Sequence, residues 1–120
     1  MIQPWVTVTD AEAAVTFYER SLGARRGETL TDHEGGVVVA ELVLGGATFW
    51  VQDDPDAPVS DDGRPIRLIL TVADPDTLVD RAVDAGAVLV NPVAEEHGWR
   101  VGRIADPFGV HWEIGRRLDG

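Results

Sequence analysis

An α+β fold built from two βαβββ modules is predicted by three features of this 120-residue chain. A strand, an Asp-capped helix and a Gly-Ala exit occur twice. They appear as Val8-Thr9-Asp10 with Leu22-Gly23-Ala24, and again as Val72-Ala73-Asp74 with Ala85-Gly86-Ala87, an offset of about 64 residues that is too long for a solenoid repeat. Short alternating β-forming runs follow each helical pattern. Asp106-Pro107-Phe108-Gly109 is turn chemistry, because Pro presets φ, Asp bonds back to its own backbone and Gly tolerates positive φ, and it runs straight into an alternating strand. One module cannot cover both faces of its curved sheet. Two are therefore expected to form a paired curved sheet, with helices outside and a concave cleft between them.

In chain order, residues 2–9 alternate as a strand with Ile2, Val6 and Val8 opposite Gln3, Trp5 and Thr7. Asp10 caps a helix over 11–22, whose apolar positions Ala14, Val15, Tyr18 and Leu22 keep helical spacing until Gly23. Residues 30–36 read as a polar turn, 36–44 and 47–52 as a hairpin around Gly45-Gly46. The Asp/Pro-rich stretch 53–64 is the only plausible internal linker, which divides the chain into a first module 1–56, an acidic linker 57–63 and a second module 64–120. A strand over 67–72 then leads to a helix capped by Asp74 with Pro75 at its first position, and to strands 88–91, 100–104 and 110–115. In the last, Val110, Trp112 and Ile114 share one face, and His111 and Glu113 the other.

Composition narrows the function. Hydrophobic residues make up 44% and charged residues 26%, ordinary for a soluble globular protein. No cysteine is present, which excludes disulfides, thiolate zinc sites and a cysteine nucleophile and fits a reducing cytoplasm. No run approaches membrane-spanning length, so no membrane association is expected. The formal charge of −11, from 21 acids against 10 arginines, disfavours nucleic acid and favours a cationic or neutral small molecule. There is no Gly-rich phosphate loop, no G-x-S-x-G elbow and no zinc-protease helix.

The strand ending in Asp10, the helix with Phe17-Tyr18 and its Leu-Gly-Ala exit, Ala40-Glu41-Leu42, and Asp106-Pro107-Phe108-Gly109 with Trp112-Glu113 together resemble the vicinal oxygen chelate superfamily. That superfamily includes glyoxalase I, bleomycin-resistance proteins, extradiol dioxygenases and fosfomycin-resistance enzymes. The resemblance covers nearly the whole chain and implies a homodimer whose association helps build the cleft. It also implies that Gln3, Glu41, Arg67 and Glu113 match the positions that project metal ligands in the metal-dependent members.

Arg67 departs from that pattern, because a histidine is expected there and a guanidinium has no lone pair for a metal. It would instead sit between the carboxylates of Glu41 and Glu113 as a built-in cation. No metal or other cofactor is therefore favoured; the alternative is a divalent Zn, Ni or Mn ion on Gln3, Glu41 and Glu113. Inward-facing tryptophans serve either as core or as a slot for a flat or cationic ligand. His111 is either a cleft base or a hydrogen-bonded side chain, and His97-Gly98-Trp99-Arg100 reads as a flap. The residues expected to bind ligand are Trp5, Thr7, Glu41, Trp50, Arg67, Trp99, Arg100, His111 and Glu113, with no catalytic residue assigned. The favoured reading is a metal-independent protein of the bleomycin-resistance type, sequestering an aromatic or cationic molecule in a dimer cleft. The alternative is a metal-dependent glyoxalase-type lyase or isomerase.

Overall fold

Both helices start on an aspartate doing the same job. Asp10 accepts a hydrogen bond from the Ala13 amide, and Asp74 accepts from the amide and hydroxyl of Thr77 with Pro75 opening the helix. Each cap satisfies an orphan helix N–H, worth about 1 kcal/mol. The computed structural model of the chain describes residues 1–57 and 67–119. The expected linker 57–63 lies outside those residues except for Ala57.

The elements are β1 (Trp5–Val8), α1 (Ala11–Phe17) continued by a π-helical turn (Tyr18–Leu22), β2 (Arg25–Thr31), β3 (Val37–Leu44), β4 (Ala47–Asp53), β5 (Leu68–Thr71), α2 (Pro75–Asp84), β6 (Val88–Glu96), β7 (Trp99–Ala105) and β8 (His111–Arg117). They fall into two compact units, Met1–Val59 and Ser60–Gly120, each a βαβββ module. The fold is thus α+β. The first sheet has the order β1-β4-β3-β2 and the second β5-β8-β7-β6. In each, the first strand runs parallel to the last and the other pairs are antiparallel.

In unit 1, Ala14, Val15 and Tyr18 are buried with Val8, Ala40, Leu42 and Val51, and Tyr18 meets Phe49 edge-on. The helix widens to its π turn where the Ser21 hydroxyl donates to the Phe17 carbonyl, then ends at Gly23 with φ 81°. In unit 2, α2 packs against β6, β7 and β8, burying Val79 and Ala82 with Leu70, Ile104, Trp112 and Ile114. The Asp106 carboxylate is buried at the mouth of β8, accepting from the amides of Phe108 and Val110 and from Trp112 Nε1. The Asp-Pro-Phe-Gly turn is therefore a clamp on Trp112 as well as a reversal.

The structure differs from the sequence reading at edges. β1 begins at Trp5, and Ile2, expected on the buried face, is 95% exposed. β2 takes in residues 30 and 31 of the expected turn, and β6 continues to Glu96 instead of stopping at Asn91. Both are edge strands with almost no buried residue, so neither carries the alternation that marks a half-buried strand. Register shifts on either side of Asn91, between Leu89 and Asn91 and between Asn91 and Ala94, accommodate Pro92. Among the described residues, no helix is long and apolar enough to cross a membrane.

Candidate functional site

Each sheet buries one face against its helix and turns the other away from it, and the chemistry sits on the second face. On unit 1, Trp5 and Trp50 stand opposite each other on β1 and β4 and stack with centroids 6.2 Å apart at 28°. The Gln3 amide donates to Glu41 Oε2 (2.9 Å) and Thr48 Oγ1 (2.7 Å) and accepts from Trp50 Nε1 (3.1 Å). Gln52 Oε1 accepts from Trp5 Nε1 and from the Thr7 hydroxyl. Side chains fill this face and satisfy one another.

Unit 2 carries a hollow on this face. A cavity of about 260 Å³ is lined by Ile69, Glu96, His97, Trp99, Val101, Glu113 and Gly115. β7 and β8 set Val101 opposite Gly115, and β5 sets Ile69 opposite Glu113. Gly115 lies on the floor, where β7 comes so close that a Cβ would sit 2.7 Å from the Arg100 carbonyl oxygen, a place only glycine fits. Trp99 is steadied by Arg117, its cross-strand neighbour, whose guanidinium lies 5.2 Å from the ring centroid. His97 and Gly98, with φ of 51° and 82°, form the two-residue turn joining β6 to β7. The expected flap is therefore a hydrogen-bonded hairpin tip whose last two residues belong to β7, and Leu118 N also donates to Gly98 O.

Further along this face, His111 is buried and its Nδ1 accepts from Arg103 Nε at 3.0 Å, while Nε2 has no partner among the described residues. Burial and then the Arg103 charge hold the His111 pKa below its ordinary value, partly opposed by Asp106. Arg67 Nε meets Glu113 Oε2 at 3.1 Å, with the two side chains 46% and 28% exposed. Glu41 takes its hydrogen bond from Gln3 in unit 1, and Arg67 takes Glu113 in unit 2. The structure does not bring Arg100 to this face. Its Nε and Nη2 grip both carboxylate oxygens of Asp76 on α2 (2.7 and 2.6 Å), an interaction that also holds the Asp76 pKa below the usual range.

The duplication tests the metal-ligand assignment from within. Trp5 pairs with Trp50 as Ile69 pairs with Glu113, and Glu41 pairs with Trp50 as Arg103 pairs with Glu113. The unit 1 counterpart of Glu113 is thus Trp50, and the counterpart of Glu41 is Arg103. Gln3 has both amide hydrogens and its oxygen committed, and no three His, Asp or Glu side chains gather into a metal site among the described residues. Arg67, at the fourth matched position, has no lone pair to offer an ion.

Sequence reasoning missed Glu96 and Arg103 as residues of this face, and had His97 only in a flap over it. His97-Gly98 between two strands is a two-residue hairpin signal, and alternation back from Val101 would have placed Trp99 inward and Arg100 outward.

A glyoxalase-like domain model matches residues 5–115. An uncharacterised protein of Mycobacterium bovis is 33% identical over 124 residues, covering 96% of this chain and 82% of the relative. The crystal structure of an Arabidopsis thaliana gene product, 33% identical, superposes with a TM-score of 0.77 over 97% of this chain and 98% of its own. A glyoxalase/bleomycin resistance protein/dioxygenase family enzyme from Burkholderia phytofirmans shares the fold, with a TM-score of 0.75 at 18% identity over 95% of each chain. The chain belongs to the glyoxalase-like domain family, within the vicinal oxygen chelate superfamily.

Proposed function

We propose that the protein binds a small aromatic or cationic molecule without a metal, sequestering it as the bleomycin-resistance type of the superfamily does. The observation that carries this reading is the unit 2 cavity, which sets the indole of Trp99 beside the carboxylates of Glu96 and Glu113. An aromatic face and the Glu96 carboxylate attract a flat cation, through stacking, cation–π attraction and charge, while Glu113 is shared with Arg67. At about 260 Å³ the cavity lies just below the roughly 300–1,000 Å³ of drug-sized sites, so the ligand is one ring in size. Stacked Trp5 and Trp50 offer a second aromatic surface, with Thr7 and Glu41 beside it. The donor set supports metal independence: Arg67 cannot ligate a metal and Trp50 stands where Glu113 has its counterpart.

A cytoplasmic homodimer belongs to the same reading, since half-exposed Trp5 and exposed Ile69 lie on these faces and association would cover them. Titration calorimetry with benzylamine tests the cavity. Saturable binding that weakens at least tenfold in Trp99→Ala supports the reading, and absence of binding overturns it. Metal analysis of protein purified without chelator, with an assay of methylglyoxal and glutathione turnover, tests the rival. Stoichiometric metal with turnover would make the protein a glyoxalase-type enzyme.

A further inference from the structure

We propose that Arg67 sets the charge of the ligand. By holding Glu113 it acts as a tethered competitor for that carboxylate, so the unit 2 cavity takes a single ring with one positive charge at its Glu96 end and a neutral group at its Glu113 end. The inference rests on the binding reading above and names the ligand class of the same site.

Two carboxylates line the cavity, and they stand apart on its walls. Glu96 lies opposite Trp99 across the β6–β7 pair, and Trp99 lies opposite Arg117 across the β7–β8 pair. Glu113 is four residues back along β8 from Arg117, roughly 13 Å at the usual rise per strand residue. The two anions therefore mark opposite ends of the hollow, and a cavity with both of them free would select a dication.

They are not equally free. Among the described residues Glu96 has no ion-pair partner, whereas Glu113 Oε2 meets Arg67 Nε at 3.1 Å. Arg67 is the residue just before β5, so its own chain holds it beside Glu113 at every encounter with a ligand. A guanidinium stays charged across the physiological pH range, which keeps Glu113 neutralised throughout. An ammonium arriving at that end must displace Arg67 or settle beside a like charge; a neutral group does neither. Selection here works by repulsion as much as by attraction. With the two side chains 46% and 28% exposed, its size is that of a partly solvated ion pair.

Benzylamine and 1,4-bis(aminomethyl)benzene, both cationic at neutral pH, test this by titration calorimetry. The unmutated protein should bind the diamine no more than about twofold more tightly, the statistical advantage of two equivalent ends. In Arg67→Gln that ratio should rise about fivefold, the upper end of what an exposed pair contributes. Arg67→Lys restores a cation and should return the ratio to that of the unmutated protein. Glu113→Gln added to Arg67→Gln should remove the gain, which a general loosening of the fold would not do. An unmutated protein that already favours the diamine about fivefold, or a ratio that Arg67→Gln leaves unchanged while benzylamine still binds, overturns the inference and leaves the binding reading standing. Absence of benzylamine binding to the unmutated protein overturns that reading, and this inference with it.

Discussion

The two units share a frame and differ in what stands on it. Position by position, Gln3, Glu41, Thr48, Trp50 and Gln52 of unit 1 correspond to Arg67, Arg103, His111, Glu113 and Gly115 of unit 2. In the first, polar and aromatic side chains tie to each other through five hydrogen bonds. In the second, a glycine replaces a glutamine and the face keeps a cavity. A duplicated scaffold needs only one emptied copy to hold a ligand, while the other is free to be stiff. The residues facing the helices changed far less in character: Leu42 and Ile104 are counterparts, and both are fully buried.

The sharpest test of the shared frame is the core. Leu42→Ala and Ile104→Ala should each cost about 2–5 kcal/mol in urea unfolding, because each leaves a cavity under its own helix. A loss in only one of them would break the equivalence. Next comes the clamp that unit 1 lacks. Asp106→Ala strands three buried donors and should cost about 3 kcal/mol, on the scale of 1–3 for a single unsatisfied group, lowering the urea midpoint. Distorting the floor of the hollow comes third. Gly115→Ala drives a Cβ against the Arg100 carbonyl and should cost about 1–3 kcal/mol, with benzylamine affinity falling alongside.

A smaller effect follows from His111, whose counterpart Thr48 does not titrate. Its pKa is lowered in the folded protein, so the unfolded chain takes up the proton first as pH falls through about 6.5. Stability should be complete above that pH and decline as pH falls toward the folded value, and His111→Gln should flatten that part of the profile. Smallest of all, Arg67→Ala should change stability by only about 0–1 kcal/mol, and less in high salt, because its pair with Glu113 is open to solvent.

The duplication, both Asp caps and the turn before β8 were legible in the sequence because each is a local device, requiring particular residues at fixed spacing. β2 and the second half of β6 were not, since an edge strand exposed on both faces has no pattern to read. Arg67 and Glu113 were legible as partners, but Glu41 was not legible as the counterpart of Arg103. That depends on which of two antiparallel strands carries it, and a register is a property of pairs. Arg100 was misplaced for a narrower reason: it was grouped with Trp99 as a flap, although within its strand it shares the parity of Ile104, on the face toward α2, where it meets Asp76.

The clamp at Asp106 has a spectroscopic consequence. The four tryptophans divide evenly between the units, yet only Trp112 is both buried and tied through its indole N–H to a carboxylate, whereas Trp5 is 54% exposed. Trp112 should emit toward the blue, and its red shift on denaturation should follow the opening of unit 2. A protein with Trp5, Trp50 and Trp99 replaced by phenylalanine would then carry an internal lamp for one module alone, by which the melting of the second sheet could be watched without labelling the first.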